Sequence, residues 1–316
     1  MTADSAASRR QAPTVLCAGI AVLDQVFRVA RFPVAEVKTQ ASEFLSVNGG
    51  NAANAAVAIA HLGGQTRFVA PLGGPPGEDS NGDRFLALLG RENIDCSACS
   101  RMPGVPSPIS AISIDAGGER AIVNFRDDRL AAARPSDPAT LVATADAVMA
   151  DNRFPEFVLP ICAAARDRGI PVVLDADEPR RQSNDLLSVV SHVVFSAEGL
   201  RATTGVGDLA AALRRASEMT SSFLAVTDGT NDVLWLDEGR LRAFSVFKVE
   251  AVDTLGAGDV FHGAFALLLA EGRGERDAIR FAAAAAAIKC TRFGGITGAP
   301  GRDEVEAFLA AREASR

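Results

Sequence analysis

The residues with the clearest chemical potential form a glycine turn followed by a carboxylate, within residues 252–266 (VDTLGAGDVFHGAFA). Gly256, Ala257 and Gly258 let the backbone approach a ligand closely, and the apolar residues behind them have helical spacing. Such a turn puts free N–H groups at a helix N-terminus, which carries about half a positive charge and binds anions such as phosphate. A carboxylate at Asp259 would repel phosphate, so we expect it to accept a proton from a hydroxyl group. Helix capping is the alternative role.

A second polar cluster, residues 48–56 (NGGNAANAA), lies far upstream. Gly49 and Gly50 precede Asn51 and Asn54, whose spacing puts two amide side chains on one face of a starting helix. Amides donate and accept hydrogen bonds, which suits the hydroxyl groups of a sugar. Capping explains one asparagine, but three asparagines and two glycines exceed what a cap requires.

The segments around these clusters alternate between strand-like and helix-like patterns. The predicted strands are residues 15–20, 66–70, 147–150, 170–174, 193–195, 223–226 and 233–236, and the predicted helices include 52–62, 82–89 and 158–168. Alternation of this kind indicates an α/β fold with a mostly parallel sheet covered on both faces. Ligands bind beyond the carboxyl ends of such strands, where Asp24, Asp175, Asp177 and Glu198 fall.

Two regions, at about residues 26–47 and 107–126, break the alternation. They carry the period-two pattern of strands, with a predicted turn at Gly117 and Gly118 in the second region. We therefore expect a small β structure separate from the main sheet.

These motifs resemble the ribokinase/PfkB family of carbohydrate kinases. The resemblance rests on G-G-N-x-A-N-x-A from Gly49, on D-T-x-G-A-G-D-x-F from Asp253, and on the glycine-rich residues 72–83 between them; it extends from about residue 15 to residue 300. It implies a ribokinase-like three-layer sandwich over residues 14–316, with the two β regions forming a lid over the sugar and pairing in a homodimer. It also implies an ATP-dependent sugar kinase that uses Mg²⁺ and, in some members, K⁺.

The resemblance assigns roles to individual residues. Asp259 would be the general base, and Gly256, Ala257 and Gly258 would bind the transferring phosphate. The implied sugar-binding residues are Asp24, Gly49, Gly50, Asn51 and Asn54. The implied nucleotide-binding residues are Thr227, Gly229, Thr254, Gly256, Gly258, Lys289 and Gly294.

Two metal roles are also implied by the resemblance. Glu198 would help to position Mg²⁺ through water, although Phe195 stands where the family usually has an asparagine. Asp253 would hold a monovalent cation. The nucleotide loop departs from the family pattern as well, because Asp232 occupies the place of its second glycine.

Within the family, four stretches look most like sulfofructose kinases, which phosphorylate 6-deoxy-6-sulfofructose at its 1-hydroxyl: ADNRF, FSAEGL, DVFHGA and IKCTRFGG. A substrate with a fixed anion requires cations at one end of its site, and arginine recognises oxyanions with several donors. Lys38, Asn124 and Arg153 could form such a clamp, or the two cations could be ordinary surface charges. Ribokinase, fructokinase or ketodeoxygluconate kinase activity, and a catalytically silent sugar-sensing homologue, are the alternatives.

Composition excludes several other classes. The net charge of −7 and the isoelectric point near 5.1 argue against a nucleic-acid partner, and no apolar run is long enough to span a membrane. We expect residues 1–13 to be a disordered tail on a cytoplasmic protein, and the five scattered cysteines to be free thiols. The sequence has no P-loop motif and no dinucleotide fingerprint after the first strand. His262 follows Asp259 at i+3, a spacing that favours packing over proton transfer.

Overall fold

The computed structural model describes residues 12–177 and 184–314, so residues 1–11 of the predicted tail lie outside the described part of the chain. The strands are β1 (Thr14–Ala18), β2 (Val22–Arg28), β3 (Glu43–Gly49), β4 (Gln65–Val69), β5 (Pro71–Gly74), β6 (Ser100–Pro103), β7 (Ile109–Ile114), β8 (Arg120–Phe125), β9 (Ala147–Asp151), β10 (Val172–Ala176), β11 (His192–Ser196), β12 (Phe223–Thr227), β13 (Val233–Asp237) and β14 (Arg240–Phe244). The α-helices are α1 (Asn51–His61), α2 (Ser80–Arg91), α3 (Pro138–Val142), α4 (Pro155–Asp167), α5 (Asn184–Val189), α6 (Ala197–Thr204), α7 (Leu209–Ala216), α8 (Ala257–Ala270), α9 (Glu275–Cys290) and α10 (Arg302–Glu313).

The central sheet has eight strands in the order β14-β13-β12-β11-β10-β9-β1-β4. The six strands from β12 to β4 pair in parallel, and β13 and β14 add an antiparallel edge. Strands such as β9 and β10 are buried along their whole length, as a sheet covered on both faces requires. The predicted mostly parallel α/β fold is therefore confirmed.

Helices cover both faces of this sheet and create two apolar cores. One core packs α1, α2, α8, α9 and α10 against the side chains of Val15, Cys17 and Met149. The other packs α3, α4, α5, α6 and α7 against the alternate residues, including Leu16 and Val148. Because successive strand residues point to opposite faces, a single run of apolar residues supplies both cores.

The lid is a separate sheet of four strands in the order β3-β2-β7-β8. Its first strand begins at Val22 and not near residue 26, so the predicted boundary was too late and Asp24 lies within a lid strand. The pairing explains this start, because Val22 is already in register with Gly49 at the end of β3. Residues 29–42 connect β2 to β3 without strand structure.

One face of the lid packs against the body of the molecule. Its buried residues Val26, Val47 and Ile112 contact Leu255, which lies just before α8, and Phe293 beyond α9. We call this the inner face of the lid. It brings the lid over the glycine turn that begins α8.

No helix in the described residues is both long and apolar enough to cross a membrane.

Candidate active site

The two glycine-rich motifs of the sequence meet where α1 packs on α8. Asn54 donates a hydrogen bond from Nδ2 to Oδ2 of Asp259 at 2.6 Å. The helices approach closely because Gly263 has no side chain; a Cβ there would lie 2.6 Å from the carbonyl oxygen of Ala55. The Asp259 carboxylate is thereby fixed by a residue from the opposite end of the chain. We call the region between Asp259 and Asp24 of the lid, whose charges interact, the cleft.

Asn51, one helical turn before Asn54 on α1, contacts the end of β10. Its Nδ2 donates to Oδ2 of Asp175 at 2.8 Å and to Oδ2 of Asp177 at 3.1 Å. The guanidinium of Arg153 forms an ion pair with Asp177. The predicted residues Asn51 and Arg153 are therefore brought together on a carboxylate that was noted only as a loop residue.

Asp151 is a buried member of the site that the sequence analysis missed. Its carboxylate accepts hydrogen bonds from the backbone N–H groups of Ile20 at 2.7 Å, Ala52 at 3.1 Å and Arg153 at 3.0 Å. It thus joins the end of β1, the start of α1 and the end of β9. The sequence did contain a sign of this role: Asp151 directly follows four apolar residues of the buried strand β9 and lies two residues before Arg153.

Asp24 faces the cleft from the inner face of the lid, in a row with Ser110 and Asn124. Asn124 donates to the hydroxyl of Ser110 at 3.0 Å, and that hydroxyl hydrogen-bonds to Asp24. Burial raises the pKa of Asp24 to about 7, an effect that Ser110 opposes and the charge of Asp259 reinforces. Gly49 is required beside it, because a Cβ there would overlap the Asp24 carboxylate.

Gly50 turns the chain from the lid into α1. It has φ of +95° and a Cβ at this position would overlap the carbonyl oxygen of Ile20. A side chain is therefore excluded both by conformation and by space. Gly49 thus leaves space for the Asp24 carboxylate, and Gly50 allows the chain to turn into α1.

The pKa of Asp259 is raised to about 7, mainly by burial and then by the charge of Asp175, while the hydrogen bond from Asn54 lowers it. A carboxylate with such a pKa can accept a proton near neutral pH. His262 is buried, with Nδ1 2.7 Å from the carbonyl oxygen of Gly258 and Nε2 3.2 Å from that of Val194. Nδ1 also lies 3.4 Å from Oδ2 of Asp175, so the buried imidazole packs directly against a carboxylate of the site.

Three buried oxygen atoms around Asp259 have no hydrogen-bond partner within the described residues: Oδ1 of Asn54, Oδ1 of Asp175 and Oδ1 of Asp177. Buried polar atoms without partners are costly, so such atoms usually meet a ligand or water. Amide and carboxylate oxygens such as these accept hydrogen bonds. The site is therefore suited to a ligand that donates several hydroxyl protons.

The N-terminus of α8 has the backbone geometry expected of an anion-binding site. Gly256 has φ of +80°, and no side chain caps the helix. Ala257 N–H makes a long hydrogen bond of 3.3 Å to the carbonyl oxygen of Thr254, and the space around the Cα of Gly258 is open. The first turn of α8 therefore presents backbone donors to the cleft, as an anion site requires.

A cavity of about 390 Å³ adjoins this helix end. The predicted nucleotide residues that line it are Thr227, Gly229, Thr254 and Gly258. Its apolar wall consists of Val246, Phe247, Val249, Phe261, Ala283, Ala286 and Ala287. A polar end beside an apolar slot suits a nucleotide, with phosphates near α8 and the base against the wall. The sequence analysis missed the wall from residues 246–249, which carry no motif.

The other predicted nucleotide residues, Gly256, Lys289 and Gly294, are not among the residues that line this cavity. Lys289 is fully buried; its Nζ lies 2.8 Å from the carbonyl oxygen of Asp253 and 3.4 Å from its Oδ2. The N–H groups of Gly294, Gly295 and Leu255 also donate to that carboxylate, at 3.0, 2.8 and 2.8 Å. Asp253 is thus the centre of a buried joint that holds the start of the glycine turn.

Glu198 and Lys38 lie apart from these contacts. Glu198 is exposed in the first turn of α6, behind the N-cap Ser196. Lys38 is exposed in the connection between β2 and β3. Within the described residues, no group of three or more His, Cys, Asp or Glu side chains is arranged to hold a metal ion.

The chain is similar to known proteins over most of its length. Residues 12–302 match the family model described as pfkB family carbohydrate kinase. The chain is 29% identical to the ribokinase of Haemophilus influenzae over 83% of this chain and 87% of that protein, and 28% identical to the ribokinase of Bacillus subtilis over 92% and 97%. It is also similar to the crystal structure of a ribokinase-like protein from Agrobacterium tumefaciens, with 38% identity, a TM-score of 0.90, and coverage of 96% of this chain and 99% of that one.

Proposed function

The chain belongs to the pfkB family of carbohydrate kinases and is an ATP-dependent sugar kinase; from this premise we propose that its acceptor is the 1-hydroxyl of 6-deoxy-6-sulfofructose. The observation that carries the proposal is the cation Arg153 beside a group of hydrogen-bonding side chains that suits a sugar, near the proposed base Asp259. Asp259 is bonded to Asn54, and Arg153 shares the carboxylate of Asp177 with Asn51, which lies one turn before Asn54 on α1.

In the proposed reaction, Asp259 accepts the proton of the sugar hydroxyl as that oxygen attacks the γ-phosphorus of ATP. The bond from this phosphorus to the bridging oxygen breaks, and ADP leaves with its electrons. Charge on the transferring phosphoryl group is stabilised by the backbone donors of Gly256, Ala257 and Gly258 at the start of α8. Thr227, Gly229 and Thr254 would border the nucleotide in the adjoining cavity.

The sugar would be oriented by acceptors on opposite sides of the cleft. Asp24 faces it from the lid, and Asn51 and Asn54 face it from α1. The unpartnered oxygens of Asn54, Asp175 and Asp177 would accept its remaining hydroxyl protons. Gly49 and Gly50 allow this close approach of lid and helix.

Recognition of the sulfonate is assigned to Arg153, Asn124 and Lys38. Arg153 forms an ion pair with Asp177. Asn124 pairs with Ser110, which pairs with Asp24, so all three lie on the inner face of the lid. Lys38 would approach from the exposed connection of the lid. A guanidinium has five N–H groups and can contact more than one acceptor at the same time.

Mg²⁺ is proposed to bind together with the phosphates of ATP. The absence of an all-protein cage within the described residues fits Mg²⁺, which usually takes one or two carboxylates, waters and substrate phosphates. The exposed carboxylate of Glu198 would be its protein contact, through water. When bound, the ion neutralises charge on the phosphates.

The test is ATP-dependent turnover on a panel of sulfofructose, fructose, fructose 6-phosphate, ribose and ketodeoxygluconate. We expect the highest kcat/KM for sulfofructose. Equal kcat/KM for neutral and anionic sugars would contradict the clamp, and no turnover on any sugar would favour a silent sensing homologue.

A matched pair of variants tests the clamp itself. Arg153→Met should lower kcat/KM for sulfofructose by roughly 10- to 100-fold, the effect of losing a charge-assisted hydrogen bond, with a smaller loss for fructose. Arg166→Met, which alters an exposed arginine of α4 paired with Asp167, is the control and should leave both values unchanged.

One observation favours a neutral sugar as the second candidate. The cleft contains four carboxylates, Asp24, Asp175, Asp177 and Asp259, and the charge of Arg153 is already paired with one of them. Neutral sugars such as ribose or fructose would avoid repulsion from these groups. The panel separates the two candidates directly.

We also propose that the lid forms a homodimer through its outer face, the side opposite to Asp24. Phe44, Val123 and Phe125 lie on this face by register and are 53%, 75% and 53% exposed. Exposed apolar side chains on an edge strand favour association with a partner.

A further inference from the structure

We propose that Arg120, a lid residue without an assigned role, binds the terminal phosphates of ATP and thereby links closure of the lid to the phosphoryl-transfer site. The inference rests on the sugar kinase activity stated above and not on the identity of the sugar. Its basis is the position of the Arg120 side chain, which extends from strand β8 of the lid to the nucleotide cavity.

Arg120 is the first residue of β8, and strand register fixes the direction of its side chain. It pairs with Ile114 of β7, whose side chain is 1% exposed on the inner face of the lid. Directly paired residues point to the same face of a sheet. Arg120 therefore points toward the body of the molecule, as Asp24 and Asn124 do from the same face.

The side chain reaches the segment that leads into the glycine turn. Its Nη1 donates a hydrogen bond to Oγ1 of Thr254 at 2.9 Å. The carbonyl oxygen of Thr254 in turn accepts the hydrogen bond from Ala257, the first residue of α8. The guanidinium thus lies at the same end of the cavity as the backbone donors of α8, and Arg120 lines that cavity.

The hydrogen bond from Arg120 goes to a hydroxyl group and not to a carboxylate. Across residues 12–177 and 184–314 it forms no ion pair, whereas 11 other arginines in this part of the chain do. Lys248, the other cation lining the cavity, bonds to the carbonyl oxygen of Thr230. A hydroxyl partner occupies one donor of Arg120 and leaves its other donors for an oxyanion.

The turn before Arg120 is built to hold this position. Asp115 accepts hydrogen bonds from the N–H groups of Gly117 at 2.9 Å and Glu119 at 3.0 Å. Gly118, with φ of +80°, lies against the backbone of Val252; a Cβ there would be 3.1 Å from its carbonyl oxygen. The lid hairpin therefore docks directly on the residues that precede Thr254.

This arrangement couples the two substrates. The lid carries Asp24 for the sugar and Arg120 for the phosphates on one face, so a phosphate that attracts Arg120 also favours the lid position in which Asp24 faces the sugar. By linkage, ATP and sugar should each raise the affinity for the other.

The test compares Arg120→Met with wild type for binding of ATP, ADP and AMP in the absence of sugar, and for turnover. We expect Arg120→Met to weaken ATP binding at least about tenfold, to leave AMP binding within about twofold, and to lower kcat/KM for ATP by about 10². Arg120→Lys, which keeps the charge but loses the planar fork, should give an intermediate loss.

Arg129→Met is the matched control, because Arg129 is an exposed arginine just beyond the lid that pairs with Asp127. It should behave as wild type. Thermal unfolding midpoints within about 2 °C of wild type would establish that Arg120→Met is folded, and Arg120→Lys serves if it is not.

Equal weakening of ATP and AMP, or unchanged ATP binding and turnover in Arg120→Met, would overturn the inference. A wild-type protein that binds no ATP would instead contradict the kinase activity. The two failures are therefore distinguishable.

Discussion

Asp259 is the residue on which the proposed chemistry depends, and its surroundings set its protonation. Burial and the charge of Asp175 raise its pKa to about 7, while Asn54 stabilises the ionised form through a hydrogen bond of 2.6 Å. Because only the ionised carboxylate can accept a proton, kcat/KM for the sugar should rise with pH to a plateau above about pH 7.

The contact between Asn54 and Asp259 can be tested through this pH dependence. Asn54→Ala removes the donor, so the pKa of Asp259 should rise and the acid limb of kcat/KM should move up by about one pH unit, the equivalent of about 1.4 kcal/mol. A purely structural loss would lower activity at every pH without moving the limb. An unmoved limb would contradict the assigned contact.

The position of Lys289 leads to a prediction about the effect of monovalent cations on turnover. Its buried ammonium lies 3.4 Å from the Asp253 carboxylate, so a K⁺ ion at Asp253 would be repelled by a like charge. We expect turnover to change less than about twofold when K⁺ replaces Na⁺. Lys289→Met should cost about 3–5 kcal/mol of unfolding free energy, because it leaves the buried charge of Asp253, which is still hydrogen-bonded to backbone N–H groups, without a counter-charge. Strong activation of wild type by K⁺ would contradict this account.

At the scale of elements, the crossing of α1 and α8 positions the catalytic pair. Gly263→Ala would put a methyl group 2.6 Å from the carbonyl oxygen of Ala55 and push the helices apart. We expect a loss of about 1–3 kcal/mol in unfolding free energy, together with lower kcat, as Asn54 moves away from Asp259.

Gly90→Ala in α2 is the control for this variant. A Cβ at Gly90 meets no atom within 4 Å, so alanine should stabilise the helix by about 0.5–1 kcal/mol and leave kcat unchanged. Chemical denaturation and turnover measured on both variants check the pair. A Gly263→Ala protein as stable and active as Gly90→Ala would show that the close crossing is not required.

Periodicity predicted the elements well because each strand and helix is specified by its own residues. The helix expected at 52–62 is α1, and the strand expected at 147–150 is β9. The start of the lid was misplaced because residues 22–25 (VLDQ) follow β1 after a short break, and only pairing with β3 makes them a lid strand. That pairing is a long-range property without a local pattern.

At the scale of the whole molecule, the candidate site depends on contacts that no local pattern specifies. The types of Asn51, Asn54 and Asp259 indicated chemistry, but their meeting depends on helix packing, and Asp151 entered the site only through the convergence of β1, α1 and β9. The family resemblance supplied roles for the motif residues. It could not supply Arg120, which has no motif and acquires its place through the register of the lid.

Association through the lid is a property of the whole molecule as well. Val123→Lys combined with Phe125→Lys puts two charges on the exposed apolar outer face and should shift the protein from dimer to monomer in analytical ultracentrifugation. Both side chains point away from Asp24, so the variant should keep its secondary structure. A monomeric wild-type protein, or a double variant that remains dimeric, would contradict the proposed interface.

The central claim is that Asp259 is the general base of sugar phosphorylation, and the most direct measurement is the turnover of Asp259→Asn at saturating ATP with the best sugar of the panel. We predict a loss of about 10² to 10⁴ in kcat. The variant should remain folded, with an unfolding midpoint at pH 8 no lower than that of wild type. The substitution should not destabilise the protein at this pH. A carboxyl whose pKa is raised from 3.8 to about 7 on folding loses its stabilising contribution as the pH rises through 7, so asparagine removes no stabilisation at pH 8. Turnover close to wild type in a folded Asp259→Asn protein would contradict the account.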